Sequence, residues 1–215
     1  MDRVFAYGGS SGGARPKAHL KIDNEEWIVK FSSLLDSKNI GRLEYIANEL
    51  AEAAGINVNE HKWFPSKLCD GYFGAKRFDR VSNKRIHMVS LSALLETTHR
   101  IPNLDYAHLF QVIQKICINK DDIYEAYRRM CFNVLYQNKD DYGKNFAIIY
   151  DESVKGYKLS PAFDITKTLD KVEHEMTILG EEKPSRDDLL LFAKEMKLSP
   201  SKCWAIINTI EAIIK

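Results

Sequence analysis

The chain carries almost no net charge, because its 31 lysine and arginine residues are balanced by 30 aspartate and glutamate residues. A protein that binds nucleic acid along an extended surface usually has a clear basic excess. The balance therefore disfavours a general nucleic-acid-binding surface and leaves open only a local basic patch. An anionic ligand would have to be bound by a few well-placed cations.

Cysteines and long apolar runs are also scarce. The four cysteines are widely spaced without a C-x-x-C pair, which predicts free thiols rather than disulfides or metal ligands: Cys69, Cys117, Cys131 and Cys203. There is no leading apolar segment and no long uncharged apolar run, so secretion and membrane spanning are disfavoured. We expect a cytoplasmic protein.

The first third of the chain has the pattern of strands followed by a helix. Ala18–Ile22 and Glu26–Phe31 predict a hairpin around Asp23 and Asn24, since this dipeptide favours a tight turn. Apolar residues at helical spacing then predict a helix from Ile40 to Ala54, which Gly55 would end. Residues 63–64 and 71–75 predict two further strands.

From residue 90 onward the pattern is mostly helical. Helices are predicted at Leu104–Ile118, Asp121–Gln137, Ser185–Met196 and Ser199–Ile214, and strands only at Phe146–Tyr150 and Tyr157–Leu159. With 215 residues and 45% hydrophobic content, the chain is long enough for one domain or for two lobes that share a cleft.

A glycine-serine stretch at residues 8–13 is the first candidate for ligand binding. Consecutive glycines let backbone N–H groups approach phosphates closely, and Lys17 follows with a positive charge. A flexible terminus is an equally good reading of this stretch alone. Lys30 at a strand end and Glu44 on the next helix favour the phosphate site, because a helix carboxylate can orient a lysine that binds phosphates.

Three residues in the second half predict phosphoryl-transfer chemistry. Asp140 could accept the proton of an attacking hydroxyl, and Asn145 and Asp164 offer the hard oxygen ligands that Mg²⁺ prefers. Residues 138–143 also have the composition of a simple polar turn. The complete set with Lys30 favours a site that binds ATP and Mg²⁺.

Several motifs in order resemble those of HipA-like serine/threonine kinases, the toxin components of bacterial toxin–antitoxin modules. The matching segments are residues 9–17 (S-x-x-G-A-x-P-K in the family), Trp27–Lys30, Glu44, Arg77–Arg80 (R-F-D-R), Asp140–Asn145 (D-D-H-x-x-N) and Phe163–Ile165. They span almost the whole chain, so the resemblance is specific.

The resemblance implies a role for each matching position. Asp140 would be the catalytic base, and Asn145 and Asp164 the Mg²⁺ ligands. The ATP-binding residues would be Lys30, Glu44, Gly12 and Gly13 on the phosphate side and the backbone near Lys76 and Phe78 on the adenine side. Ser10, or its neighbour Ser11, would be the regulatory autophosphorylation site, because a new dianion in the loop would be repelled from a site lined by carboxylates.

Two features depart from the family pattern. Tyr142 replaces the usual histidine of the catalytic loop, which bears on loop packing more than on chemistry because the acid and the amide are retained. Family members commonly have a further N-terminal subdomain, whereas eight residues precede Gly9 here. We therefore expect that subdomain either to be a separate small protein or to have been lost, leaving apolar surface for a partner.

Together these observations predict an α+β, two-lobed protein-kinase-like fold. Residues 1–78 would form a β-rich, nucleotide-clamping small lobe, and residues 79–215 a helical large lobe with the catalytic loop and the metal site.

The expected reaction is Mg²⁺-ATP-dependent phosphorylation of a serine or threonine hydroxyl, with an aminoacyl-tRNA synthetase suggested as target by the resemblance. A DNA-binding antitoxin is the expected partner, without direct nucleic-acid or membrane binding. Two alternatives stay open: a catalytically weak binding subunit that acts with an antitoxin as corepressor or scaffold, and a small-molecule kinase.

Overall fold

The computed structural model describes residues 1–2, 15–33, 36–82, 84–97 and 104–215. The glycine-serine stretch, with Ser10, Ser11, Gly12 and Gly13, lies outside these ranges. The prediction that it binds phosphate and carries the modified serine therefore stays a prediction.

An antiparallel four-stranded sheet forms the first part of the fold, in the order β1-β2-β4-β3. Its strands are β1 (Lys17–Ile22), β2 (Glu25–Lys30), β3 (His61–Phe64) and β4 (Tyr72–Lys76). Asp23 and Asn24 have φ values of 51° and 64°, the left-handed conformation that a two-residue hairpin turn requires. The predicted hairpin is confirmed.

Helix α1 (Ile40–Ala53) follows the hairpin in sequence. Gly55 has a φ of 79°, a conformation that glycine adopts without strain, and the chain leaves the helix there as predicted. Ala47 and Ala51 are fully buried and belong to the main hydrophobic core, whereas the sheet has its own small cluster of Val29, Phe31 and Tyr72. Helix α1 therefore connects the sheet to the helical part of the protein.

The rest of the chain is mainly helical, with short strands between the helices. The strands are β5 (Arg80–Val81), β6 (Lys84–Arg85), β7 (Met88–Ser90), β8 (Leu104–Asp105), β9 (Ala147–Asp151), β10 (Gly156–Leu159) and β11 (Met176–Thr177). The helices are α2 (Leu91–Leu94), α3 (Tyr106–Ile116), α4 (Asp122–Tyr136), α5 (Arg186–Glu195) and α6 (Pro200–Ile213). Strands β10, β9 and β7 form a sheet in that order, and β8 pairs with β11 in parallel.

One predicted helix begins later than its apolar pattern suggested. Leu104 and Asp105 belong to β8, and helix α3 starts at Tyr106 because the Asp105 carboxylate accepts the backbone N–H of Ala107 at 2.8 Å. Such an N-cap satisfies a donor that the first turn of a helix leaves free. The strand was missed because its partner, Met176–Thr177, lies far along the chain.

The main core lies among helices α3 to α6. Its largest fully buried side chains include Tyr106, Phe110, Tyr127, Phe132 and Phe192. All four cysteines are free thiols, two of them buried, which confirms that prediction. Among the helices of the described ranges, none is long and apolar enough to cross a membrane. The division of the chain at residue 78 stays a prediction.

Candidate active site

A cavity of about 250 Å³ opens between the four-stranded sheet and the segment 162–164. Apolar groups from both sides line it, including Ile28, Ala75, Met88 and Phe163, and the charged pair of Lys30 and Asp164 lies at its wall. A cavity with mostly apolar walls and a few charged groups suits a heteroaromatic ligand with a charged end.

Lys30, the last residue of β2, forms ion pairs with both Glu44 on α1 and Asp164. The side chain of Glu44 is only 3% exposed, and that of Lys30 is 16% exposed. Burial alone would lower the pKa of Lys30, but the two carboxylates outweigh burial and raise it. Lys30 is therefore a permanent cation in the wall of the cavity, held by residues far apart in sequence.

Asp164 is held in a backbone conformation that few side chains adopt. Its φ of 56° lies in the left-handed region, which aspartate tolerates better than most residues. The positive charge of Lys30 holds the pKa of Asp164 below its usual range despite burial. Its carboxylate is thus ionised and directed toward Lys30 at the cavity.

The catalytic loop predicted at residues 140–145 is closed by its own asparagine. The Asn145 side-chain nitrogen donates to the Asp140 carbonyl at 2.9 Å, and the Asn145 amide donates to the Tyr142 carbonyl at 2.8 Å. Because its nitrogen is used in this way, the side-chain oxygen of Asn145 is left for a ligand. An amide oxygen and the Asp164 carboxylate are hard donors that fit Mg²⁺.

Gly143 allows the predicted catalytic loop to approach the rest of the protein closely. A Cβ at this position would lie 2.5 Å from Leu104 Cδ1 and 2.6 Å from Ser92 Oγ. The Ser92 amide also donates to the Gly143 carbonyl at 3.1 Å. A side chain here would require Leu104, Ser92 or the loop to shift, so the packing favours glycine.

Tyr142 indicates that the loop lies close to Asp164, the predicted metal ligand. Burial, followed by the negative charges of Asp140 and Asp164, raises the pKa of the Tyr142 phenol. Both carboxylates must lie near the tyrosine to act on it. The structure therefore brings together the predicted base, the predicted metal ligand and the residue that departs from the family pattern.

The predicted adenine-binding backbone is only partly available. The Lys76 amide donates to the Glu60 carbonyl at 2.8 Å, and the Lys76 carbonyl accepts from the Asn59 side chain. Within the described ranges, the amide and carbonyl of Phe78 have no hydrogen-bond partner. Both residues line the cavity, but Phe78 is the one with free backbone groups.

Sequence reasoning missed Asp141 as a residue that holds the loop. Its side chain is fully buried and accepts from the Tyr106 hydroxyl at 2.7 Å, the His174 Nδ1 at 2.9 Å and the Glu175 amide at 3.0 Å. A buried carboxylate is tolerated only when such donors compensate its lost hydration. The only sequence signal for Asp141 was its position next to Asp140. That position does not reveal that the Asp141 side chain is buried.

Lys171 was missed as well. Its ammonium group lies 2.6 Å from Asp140 Oδ1 and 2.6 Å from Glu175 Oε1. Lys171 is surrounded by charged residues in the sequence, and such a run is typical of an exposed turn. No sequence signal separated it from the neighbouring lysines.

A family model described as the HipA-like C-terminal domain matches residues 9–215. The chain belongs to the HipA-like C-terminal domain family. The predicted site residues described above, Lys30, Glu44, Lys76, Phe78, Asp140, Asn145 and Asp164, all lie within the matched region.

Among curated proteins, the chain is similar to the putative kinase Y4dM of Sinorhizobium fredii (strain NBRC 101917 / NGR234). The two are 26% identical over 164 residues, which is 70% of this chain and 39% of that protein. The chain therefore spans less than half the length of this curated relative.

Two solved structures have a similar fold. HipA of Shewanella oneidensis MR-1, determined in complex with HipB and operator DNA, matches with a TM-score of 0.76 and 21% identity over 96% of this chain and 57% of that one. The Helicobacter pylori proinflammatory kinase CtkA matches with a TM-score of 0.62 and 15% identity over 92% of this chain and 81% of that one. The fold is kinase-like, as predicted, with a β-rich and a helical part.

Proposed function

We propose that this protein is a kinase that transfers the γ-phosphoryl group of ATP to a serine or threonine hydroxyl. The observation that carries the proposal is the pairing of Lys30 with both Glu44 and Asp164 at the wall of the cavity. A lysine oriented by a helix carboxylate beside a metal-binding aspartate is the arrangement that phosphoryl transfer uses. Family membership supports the same reaction class.

The proposed binding mode places adenine in the apolar part of the cavity, against Phe78, whose backbone amide and carbonyl can bond to the ring. The phosphates then extend toward Lys30, which contributes a fixed positive charge. Asn145 and Asp164 would hold Mg²⁺, and the bound metal would offset negative charge on the phosphates. The roles of Gly12 and Gly13 on the phosphates belong to the same proposal.

In the proposed reaction, Asp140 accepts the proton of the acceptor hydroxyl. The hydroxyl oxygen forms a bond to the γ-phosphorus while the bond between that phosphorus and the bridging oxygen of ADP breaks. The protein mainly positions the groups and neutralises charge. Asn145 contributes by holding the Asp140 backbone through its side-chain nitrogen.

The acceptor and partners are proposed from family resemblance. We expect phosphorylation of Ser10 or Ser11 in the chain itself and of a separate protein target, with an aminoacyl-tRNA synthetase as the first candidate. The HipA neighbour was determined with HipB and DNA, which supports a DNA-binding antitoxin as partner. We expect the antitoxin to contact DNA, and we propose a small separate protein that corresponds to the family's N-terminal subdomain as a further partner.

Phosphate incorporation tests the proposal directly. Phosphatase-treated protein is incubated with MgATP and its intact mass is followed with time, together with the Asp140→Asn and Asp164→Asn variants. We expect one added phosphate on Ser10 or Ser11 in the wild-type chain and a loss of about 10³-fold in each variant. Undiminished incorporation in both variants would contradict the proposed mechanism.

Tyr142 motivates a second candidate function, that of a kinase-like binding subunit acting with an antitoxin. The same experiment separates the two. Nucleotide binding without phosphate incorporation, with or without the antitoxin, would support the binding subunit.

A further inference from the structure

The segment 168–175 lies along the catalytic loop and is tied to it at several points. Thr168 N–H donates to the Gln137 carbonyl at 3.0 Å, Lys139 N–H to Thr168 Oγ1 at 2.7 Å, and Lys139 Nζ to the Lys171 carbonyl at 2.7 Å. Glu175 N–H donates to Asp141 at 3.0 Å. Backbone and side-chain bonds at both ends thus hold Lys171 in a defined place.

Lys171 contacts Asp140, the predicted catalytic base, directly. Lys171 Nζ lies 2.6 Å from Asp140 Oδ1 and 2.6 Å from Glu175 Oε1, distances typical of charge-assisted hydrogen bonds. Burial alone would lower the pKa of Lys171, but Asp140 and Glu175 outweigh it and raise it, so the side chain stays protonated. In the part of the chain that the structure describes, Asp140 Oδ2 has no hydrogen-bond partner.

This arrangement has a consequence for proton transfer. A general base must present one oxygen to the acceptor hydroxyl in a defined direction. A carboxylate on a loop can rotate about its side-chain bonds, and a cation on Oδ1 stops that rotation. With Oδ1 held by Lys171, Oδ2 is the oxygen left to accept a proton.

Stability is a weak explanation for this contact. The side chains of Lys171 and Asp140 are 32% and 39% exposed, and partly exposed ion pairs stabilise a fold little. The backbone of the segment is already held through Lys139, Thr168 and Glu175 without the Lys171 ammonium group.

We propose that Lys171 is a positioning residue that orients Asp140 for proton abstraction by holding its Oδ1, with Glu175 in turn orienting Lys171. The inference rests on the proposed kinase function. It adds a residue from the segment after Asp164 to a site otherwise built from the loop 140–145 and the cavity wall.

The test compares Lys171→Met, Lys171→Arg and a matched control. Lys183 forms an ion pair with Glu173 at 3.3 Å, with side chains 57% and 50% exposed, so Lys183→Met removes a lysine–glutamate contact of the same segment that does not involve Asp140. Phosphatase-treated proteins are given MgATP, and the rate of phosphate incorporation, the affinity for a fluorescent ATP analogue and the melting temperature are measured.

We expect Lys171→Met to lower the incorporation rate by about 10²-fold, since a small misplacement of a reacting group has an effect of this size. Affinity for the analogue should change by less than about twofold, because Lys171 acts on the acceptor side. Lys171→Arg should restore at least about a tenth of the rate, as arginine also donates to a carboxylate. Lys183→Met should match the wild type.

Several results would overturn the inference. One is an unchanged or increased rate of phosphate incorporation in Lys171→Met. Another is a rate loss explained entirely by a lower melting temperature. A third is a loss of nucleotide affinity as large as the loss of rate. The absence of any incorporation by the wild-type chain would instead contradict the proposed function on which the inference rests. Incorporation that Asp140→Asn abolishes and Lys171→Met retains would contradict the inference alone.

Discussion

The two sides of the candidate site are built in different ways. On the side that we propose binds nucleotide, called the nucleotide side below, Lys30, Glu44 and Asp164 come from a strand, a helix and a loop, and their opposite charges meet directly. On the side that we propose binds the acceptor, the half-buried Asp140 is followed by a buried carboxylate, Asp141, which hydrogen bonds hold in the core. Charge specifies the first arrangement, and burial specifies the second.

The neighbouring aspartates show the difference most clearly. The Asp140 side chain is 39% exposed, whereas that of Asp141 is fully buried. Asp141 is linked through the Tyr106 hydroxyl to Asn133, whose side chain donates to that hydroxyl at 2.9 Å. One aspartate stays partly exposed at the candidate site, while the next one anchors the loop in the core.

The largest effect is expected from Lys30→Met, which removes the cation of the nucleotide side. Phosphate incorporation should fall by about 10²- to 10³-fold, as it does when a preorganised charge is removed from a transition state. The free energy of unfolding should fall by about 3 kcal/mol, because Glu44 is left buried without its partner. Urea unfolding and phosphate incorporation measure the two effects.

A second variant sharpens this prediction. Adding Glu44→Gln to Lys30→Met removes the uncompensated charge, so part of the stability should return while activity stays low. Lys62→Met serves as control, because Lys62 pairs with the exposed Glu60 at 3.2 Å. Recovery of activity in the double variant would show that Lys30 acts only through stability.

Among these variants, Asp141→Ala should cause the largest decrease in the free energy of unfolding. It leaves the buried Tyr106 hydroxyl and His174 ring without their acceptor, so the free energy of unfolding should fall by about 3–5 kcal/mol. Urea unfolding at pH 7 measures the loss. Asp170→Ala, which removes an exposed aspartate, should change it by no more than about 0.5 kcal/mol. If Asp141→Ala and Asp170→Ala lowered the free energy of unfolding equally, burial of Asp141 would not be what holds the loop.

The nucleotide side should also show a pH-dependent contribution to stability. Burial would raise the pKa of Asp79, but hydrogen bonds and charge from Arg77, with further charge from Arg80, outweigh it and lower the pKa. The stabilisation is therefore present above the unfolded pKa of about 3.9 and is lost as pH falls through the lower folded value. Asp79→Asn should lower the free energy of unfolding by about 1–3 kcal/mol at pH 7.

Urea unfolding of wild type and Asp79→Asn at pH 7, pH 5 and pH 3 checks the sign of this dependence. The difference between them should be constant from pH 7 to pH 5 and become smaller below the unfolded pKa. A difference that grows with acidification would contradict the lowered pKa of Asp79.

The smallest effect is expected from Tyr142→His, which restores the residue usual in the family. Asp140 and Asn145 are retained in the variant, so the rate of phosphate incorporation should change by less than about tenfold. Burial and the neighbouring carboxylates raise the Tyr142 pKa, so the phenol stays neutral at assay pH. A gain of several orders of magnitude would support the binding subunit as the function of this chain.

Much of the fold was predictable because it depends on local pattern. The hairpin around Asp23 and Asn24 and the helix ended by Gly55 follow from backbone conformations that these residues favour. Strand β8 was not predictable, because it exists only through its pairing with Met176–Thr177. The predictions for Ser10, Ser11, Gly12 and Gly13 concern residues outside the described ranges and stay predictions.

The sequence by itself determined which chemical groups are present: the residue types that phosphoryl transfer requires, in the order that identifies the family. This was possible because the identity and spacing of charged and amide residues can be recognised from the sequence before the fold is known. Only the tertiary structure decided that Lys30 joins Glu44 to Asp164, that Phe78 rather than Lys76 has free backbone groups, and that Lys171 holds Asp140. These features are contacts and degrees of burial that involve residues far apart in the chain. They form only when the core packs and brings those residues together.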